Sequence, residues 1–343
     1  MAKLIPALIV SATLFVPAVA RADCQMIMPG QPGGKPNTII FQGCNIEINN
    51  GAGSTATING LGNLIVGYNE PRPDTTQPDR GGSHNLIVGV RHHYPSYGGF
   101  VAGRQNTISG VFASVAGGGQ NVASGSRAAV GGGQNNTSSN QFATVAAGNF
   151  NTASGPSSSV NGGQGNTAVG IAASVSGGDH NLAVGVVSAV GGGGYNEADG
   201  EESVVSGGSG NNASGGQSSV SGGISNNATA GGASVSGGYQ NVAAGGTASV
   251  GGGAANQANF IYASVSGGMA NLVGPGTVAD VPEGMSVGGA ICGGVQNVVL
   301  GTAASATGGS QNTASGDAAS VSGGTSVTVG ATGAWAAGAL HSP

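Results

Sequence analysis

Charge is the first thing this sequence lacks. Asp, Glu, Lys and Arg make up 6% of its 343 residues, against about a quarter in an ordinary globular domain. Aromatic residues are scarce too, at 4%, which excludes a usual core of rings. The eight Lys and Arg residues do not cluster, so nucleic acid has no electrostatic handle. A net charge of -5 is too mild to hold a chain open by self-repulsion, the common basis of disorder. The three cysteines, Cys24, Cys44 and Cys292, show no Cys-x-x-Cys or Cys/His spacing for zinc. After the N-terminal segment, no apolar run is long enough to span a bilayer as a helix. No series of alternating strands suggests a membrane barrel.

Several chemical motifs are missing as well. The glycines form no G-x-x-x-x-G-K-S/T phosphate loop. Stretches such as "GGGQN" lack the regular Asp that calcium-binding nonapeptides need, since Asp179 stands alone. Chance G-x-S-x-G matches have no His and Asp partners beside them. His84, His92 and His93 lie near Asp79 without ligand-like spacing, which reads as a solvated loop and no metal site. Glu197, Asp199, Glu201 and Glu202 form one acidic corner, read as charge that blunts aggregation. No cofactor and no catalytic activity are expected.

What is present starts with an export signal. Lys3 precedes an apolar run from Leu4 to Ala20, and Ala20-Arg21-Ala22 is an A-x-A cleavage site. Residues 1–22 are expected to be removed, leaving no transmembrane segment. Pro6 and Pro17 interrupt the run and argue against an anchor; Asp23 and Arg21 argue against lipidation of Cys24. Export permits disulfides. Cys24 and Cys44 are positioned to staple a cap segment over 23–44, leaving Cys292 either buried or paired between chains.

Glycine is the other excess, at 71 residues, and it recurs with a strict period of 15. Val stands at 115, 130, 145 and onward without a gap to 265. Six residues after each comes an Asn: Asn121, Asn136, Asn151, Asn166, Asn181, Asn196, Asn211, Asn226, Asn241, Asn256 and Asn271. Two residues before each Val is Ala or Ser, and three after it is Gly. Fixed and variable positions alternate, the period-2 mark of a strand with one buried face. Ala113, Val115, Asn121 and Ala123 are therefore expected inside, and Ser114 and Val122 outside.

Each unit thus reads as two short strands and two corners, one coil of a parallel β-solenoid. The Gly-Gly pair turns one corner, where φ > 0 is cheap only for Gly. The "SG" or "VG" after the second strand turns the other. Stacking places identical residues above one another, so the Asn column reads as an inward ladder in which each amide bonds the next. Less regular coils are expected over 45–112. There "NLIVG" at Asn63 and Asn85 reads as an apolar form of the Asn strand, and Asn45 as the start of the series. Regular repeats occupy 113–273, an insertion loop 274–290, and final coils with a C-terminal cap 291–343. About eighteen coils at the strand spacing give a stack of roughly 85 Å.

The recurrent "ASVSGG" at 233–238 and "NVAAG" at 241–245 resemble the head repeats of trimeric autotransporter adhesins, also called haemagglutinin-like repeats. The resemblance spans most of residues 45–330. It implies a left-handed parallel β-roll, a homotrimer, display outside a bacterium and adhesion to a host or matrix surface. The unit here is one residue longer than the family's, and Gly-Gly replaces Ile-Gly. No heptad stalk and no membrane-barrel pattern accompany the repeats, so autotransport and self-anchoring are not implied.

The expected function is a secreted or surface-exposed structural and adhesive module. Contact residues are expected at the variable corners: Phe150, His180, Tyr195 and Tyr239 at one, Arg127, Phe142, Ile261 and Tyr262 at the other. Exposed rings mark contact sites. One alternative is ice binding, although the outward column beside Val mixes Ser, Ala, Thr and Val rather than repeating Thr. Another is a carbohydrate-active parallel β-helix, for which the coils are narrow and no acidic row is apparent.

Overall fold

A computed structural model describes residues 25–73, 79–275 and 288–338. Residues 1–24, which include the expected export signal and Cys24, lie outside them. The chain divides into two units, Met1–Ile48 and Asn49–Pro343. In the first, Gln25–Ile27 pairs antiparallel with Ile40–Gln42, and Cys44 is disulfide-bonded. Asn45 falls in this unit and outside any strand, so it does not begin the repeat series.

The second unit is a parallel β-solenoid of about sixteen turns, each of about 15 residues. One sheet carries the Val column. Its strands pair in chain order from Leu64–Val66 through Leu86–Val90, Phe100–Arg104 and Ser114–Val115 to Trp335–Ala336. The other sheet carries the Asn column, with 15 strands from Thr107–Ile108 to Thr328–Val329. Register between neighbours is one whole coil: Val115 faces Val130, and Val122 faces Thr137. A third line of contact, not visible in the strand pattern, consists of single-residue parallel bridges from Arg104 through Gly119 and Gln134 to Thr325.

The alternation of side chains follows the sequence. Ala113, Val115, Asn121 and Ala123 are fully buried, while Ser114 and Val122 are half-buried on the outside. One Val and two or three small residues per coil make a thin core. Cys292, the residue after the buried Ile291, points outward by the same alternation and is free and exposed, so a buried role for it fails.

The Asn ladder is present, but its bonds differ from those expected. Asn121 Nδ2 donates to the carbonyls of Gly117 at 3.1 Å and Gly133 at 3.0 Å. Its Oδ1 accepts the backbone N–H of Asn136 at 2.9 Å. The same three bonds recur up to Asn312, whose Oδ1 takes the N–H of Val327 at 3.0 Å. Amide-to-amide bonds are occasional, as from Asn271 to Asn256 at 3.0 Å. The reason lies at the corner. Where the chain leaves one sheet for the next, backbone groups point inward without a strand partner. A buried backbone donor or acceptor must be paired: the amide supplies the partner for Gly117 O and Asn136 N, and adds a second bond to Gly133 O, which already accepts the Gly119 N–H.

Glycine does two different jobs. The second Gly of each pair takes φ > 0, as Gly118 at +78° and Gly208 at +90° do. A Cβ on Gly208 would also sit 2.2 Å from Gly223 O in the next coil. The glycine of the "SG" corner is not the turning residue. Gly125 does not appear among the positive-φ residues, but its absent Cβ would lie 2.0 Å from Asn140 O, so close stacking favours it. The left-handed turn comes two residues later and takes many residue types: Phe112 at +57°, Arg127 at +56°, Val187 at +58°.

The irregular coils correct a second expectation. "NLIVG" belongs to the Val sheet: Ile87 pairs with Val101, and Val101 with Val115. Ile87 is fully buried in the Val column because its bulk matches that site. Asn85 therefore stands two residues before the column, where its Oδ1 accepts the Gly99 N–H at 2.8 Å. The ladder position of this coil is filled by His92. Its Nδ1 faces Asn106 N at 3.3 Å, and its Nε2 faces Val88 O at 3.1 Å. His92 is 1% exposed, so it is a rung of the ladder and not part of a solvated loop. Fewer turns than the expected eighteen close because the Asn sheet starts only at Thr107.

The late insertion leaves the stack intact. Val265 pairs with Ile291 and Leu272 with Val298, and Asn297 N still donates to Asn271 Oδ1 at 3.0 Å.

Replacing Asn181 and Asn196 together by Leu strips the partners from several buried backbone groups. Each orphaned group costs about 1–3 kcal/mol. The melting temperature is expected to fall by roughly 10 °C or more, read by circular dichroism; an unchanged midpoint would remove the ladder from the account of stability.

Candidate functional site

Within the regular coils the corners carry most of the exposed large side chains, Val204 being on a sheet; outside those coils Leu64, Ile65, Val66, Leu86 and Trp335 are exposed on strands. The column three residues before each Val has left-handed φ whether or not the residue is Gly. That geometry aims the side chain at solvent. Phe112, Arg127 and Phe142 follow one another there on three successive coils. The Arg127 guanidinium carbon lies 5.8 Å from the Phe112 ring centre and 5.5 Å from that of Phe142. Tyr97 adds an edge-on contact to Phe112 at 5.5 Å. Further along the same corner, Ile171, Val186 and Val187 are exposed, with Val169 and Val184 beside them.

The acidic corner comes next on that edge. Gln217 Nε2 donates to Glu202 Oε2 at 2.9 Å, and Glu201, Glu202, Gly216 and Gln217 line a shallow depression of about 270 Å³. Burial, and then the neighbouring Asp199 carboxylate, push the Glu197 carboxyl above its usual range. Ile261 and Tyr262 close this row of exposed side chains several coils away, with Tyr262 64% exposed.

The second corner lies four and five residues after each Val. His180 stacks on Tyr195 of the next coil, ring centres 5.3 Å apart and planes 7° from parallel. Asp179 Oδ1 is 3.1 Å from His180 Nδ1. The ring covers Gly165, where any Cβ would lie 2.9 Å from it. Phe150 sits two coils from His180 in the same column, and both Phe150 and Tyr239 are exposed. At the start of this corner Arg104, Gln105, Gly118, Gly119, Gln120, Gly133 and Gln134 line an open cavity of about 310 Å³.

The geometry thus joins His180 with Tyr195, and Phe142 with Arg127. Among the described residues, Phe150, Tyr239 and Tyr262 make no ring–ring or cation–ring contact. Sequence reasoning missed Tyr97, Phe112 and the aliphatic pair Ile171 and Val187. The signal was in the sequence: Phe112, Ala172 and Val187 share one column with Arg127 and Phe142. Chemically, these corners offer ring faces, one paired cation and short apolar rows. Among the described residues, no group of three or more His, Cys, Asp or Glu side chains is close enough to hold a metal ion. No helix there is long and apolar enough to cross a membrane.

The fold defines the class: a parallel β-solenoid repeat protein. No known family model matches the chain, and no curated protein matches it in sequence.

Exposed corner side chains contribute little to folding. Phe142→Ala and Tyr195→Ala are each expected to change unfolding free energy by less than about 1 kcal/mol, measured by denaturant titration. A larger loss from either would make that ring a structural clamp.

Proposed function

We propose that the chain is a secreted or surface-exposed bacterial repeat protein that acts as a non-catalytic adhesive module, contacting its ligand through the corner columns. One observation carries this reading. Within the regular coils, most exposed rings and aliphatic side chains lie on two corner rows, and those rows are mounted on coils whose backbone groups are bonded to both neighbours. A rigid mount lowers the ordering cost of binding. Rows of side chains on adjacent coils present many weak contacts to an extended partner, such as a matrix fibre or surface polymer. The likeness of "ASVSGG" and "NVAAG" to adhesin head repeats supports the same reading. Ice binding has less support: Thr137, Thr152 and Thr167 stack outward on the Asn sheet, but Leu182 and Glu197 end the row.

A homotrimer belongs to this proposal. Outward Ala189, Ser219 and Ser234 are small and half-buried on a continuous sheet face. Three such faces can approach closely around one axis and cover a second side of a thin core. Sedimentation of the mature chain at low micromolar concentration is expected to give three times the monomer mass; a folded monomer would remove this part.

Adhesion is tested by retention of the purified chain on surfaces coated with collagen, fibronectin, cellulose or chitin. At least one coating is expected to retain it, and Phe142→Ala with Tyr195→Ala is expected to cut retention on that coating about tenfold or more. Retention that ignores both changes would count against the corners, and absence of retention on every coating would count against the adhesive role.

A further inference from the structure

The first coils are held by imidazole rings that accept hydrogen bonds. His92 Nε2 lies 3.1 Å from Val88 O. A carbonyl can only accept, so Nε2 carries the hydrogen. Nδ1, 3.3 Å from Asn106 N, is then the bare nitrogen that accepts that N–H. Only the neutral ring satisfies both neighbours. A protonated ring would turn an N–H against the N–H of Asn106. His93 makes a related bond: its Nδ1 accepts the backbone N–H of Asp79 at 3.1 Å and so ties down the returning insertion. His84 does the same for the preceding segment, with Nε2 accepting from Asn50 N at 3.2 Å and Nδ1 facing Thr55 O at 3.1 Å. Every ladder rung from Asn106 to Asn312 uses an amide, which does not titrate.

We propose that residues 79–107 form an acid-labile end of the solenoid: protonation of His92 and His93 removes the acceptors for Asn106 and Asp79 and opens the first coils, while the Asn-laddered coils stay closed.

The charged surroundings favour this. Arg72 reaches across the segment, donating to Arg91 O at 3.2 Å, to Thr107 Oγ1 at 3.2 Å and to Gln105 O. Its charge opposes a second cation on either ring. Asp79 favours the charged form of His93, but less strongly than burial opposes it. Arg91, just after the strand Leu86–Val90, and Arg104, at the end of Phe100–Arg104, are exposed. Glu70 stands in the preceding coil at the offset from Ile65 that His92 has from Ile87. Burial is the leading cause that pushes both His92 and His93 below the ordinary 6.5.

The sign of the effect follows from those two depressions. In the open state the imidazoles titrate near 6.5, and in the closed state lower. Between those values the open state binds more protons, so stability rises with pH there. Loss therefore begins as pH falls below about 6.5 and continues to the lower closed-state values. Ordinary surface carboxylates titrate near 4, and Glu197, whose carboxyl is pushed upward, lies outside residues 79–107, so a window around pH 5 isolates the histidines within this end.

Hydrogen exchange of the full mature chain, read by mass spectrometry at pH 7.5 and pH 5.2 and corrected for intrinsic rates, is the test. Opening of residues 86–107 is expected to rise on the order of tenfold at the lower pH, with residues 115–265 unchanged. His92→Asn installs the residue the other coils use. It is expected to keep protection at pH 7.5 and to lose most of the acid response, and His93→Gln in addition is expected to remove the rest. Equal acid response in wild type and the double variant would overturn the proposal, as would uniform opening of the whole stack. If His92→Asn is unprotected already at pH 7.5, the wild-type ring decides by NMR titration: a His92 midpoint below 6.5 supports the proposal, and one at or above 6.5 overturns it.

Discussion

The fold depends on one side-chain amide bonding three backbone groups. A narrow coil must turn sharply between its sheets, and at each turn the bridges through Gly119 and Gln134 leave Gly117 O and the Asn136 N–H without a backbone partner. The Asn side chain is short enough to fit under the turn and carries two donors and an acceptor in one plane. It binds its own coil at Gly117, the next coil at Gly133, and the next Asn through Asn136 N. Leu would fill the space and Asp would lack the donors. The glycine beside it follows from the same constraint, since a Cβ at Gly118 would meet Asn121 Nδ2 at 2.9 Å and Gly133 O at 2.0 Å.

The corners express a second constraint. Left-handed φ in residues other than Gly is uncommon and costs about a kcal/mol or more. Here it recurs coil after coil with Phe, Arg, Val, Tyr, Glu and Gln alike. Such tolerance shows that the backbone imposes the angle and the side chain accepts it. The residue is free to vary because it points away from the core. That freedom is what allows one edge to carry a cation between rings at one stretch, aliphatic groups at the next and carboxylates after them.

Much of this architecture was legible in the residues, and the gaps have physical causes. The period, the buried Val and Asn columns and the outward Ser114 and Val122 follow from alternation alone. Periodicity says which side chains share a column, but not which atoms meet. The amide was therefore assigned to the wrong acceptor, and the third line of bridges through Gly119 and Gln134 went unseen. The misplacement of "NLIVG" arose from a change of pitch. Ile87, Val101 and Val115 pair in sequence although each is 14 residues from the next, so an Asn-based register drifted onto Asn85 and passed over His92. Among the corner residues, exposure was readable from variability. The seat of Arg127 between Phe112 and Phe142 required the coil stacking, because those residues are distant along the chain and adjacent only across it.

The unbroken bonding across the late insertion has a wider meaning. Asn271 hands its hydrogen bond to Asn297 as readily as Asn256 does to Asn271, though more chain intervenes. What one coil requires of its neighbour is a matching edge, and nothing in that edge records how the chain reached it. Coils are therefore interchangeable parts in a one-dimensional lattice. A genetic duplication or deletion of 15 residues anywhere between Val115 and Val265 restores the same edges on both sides. The reach of the stack can then change in steps of one strand spacing, about 4.8 Å, without any new core having to be found.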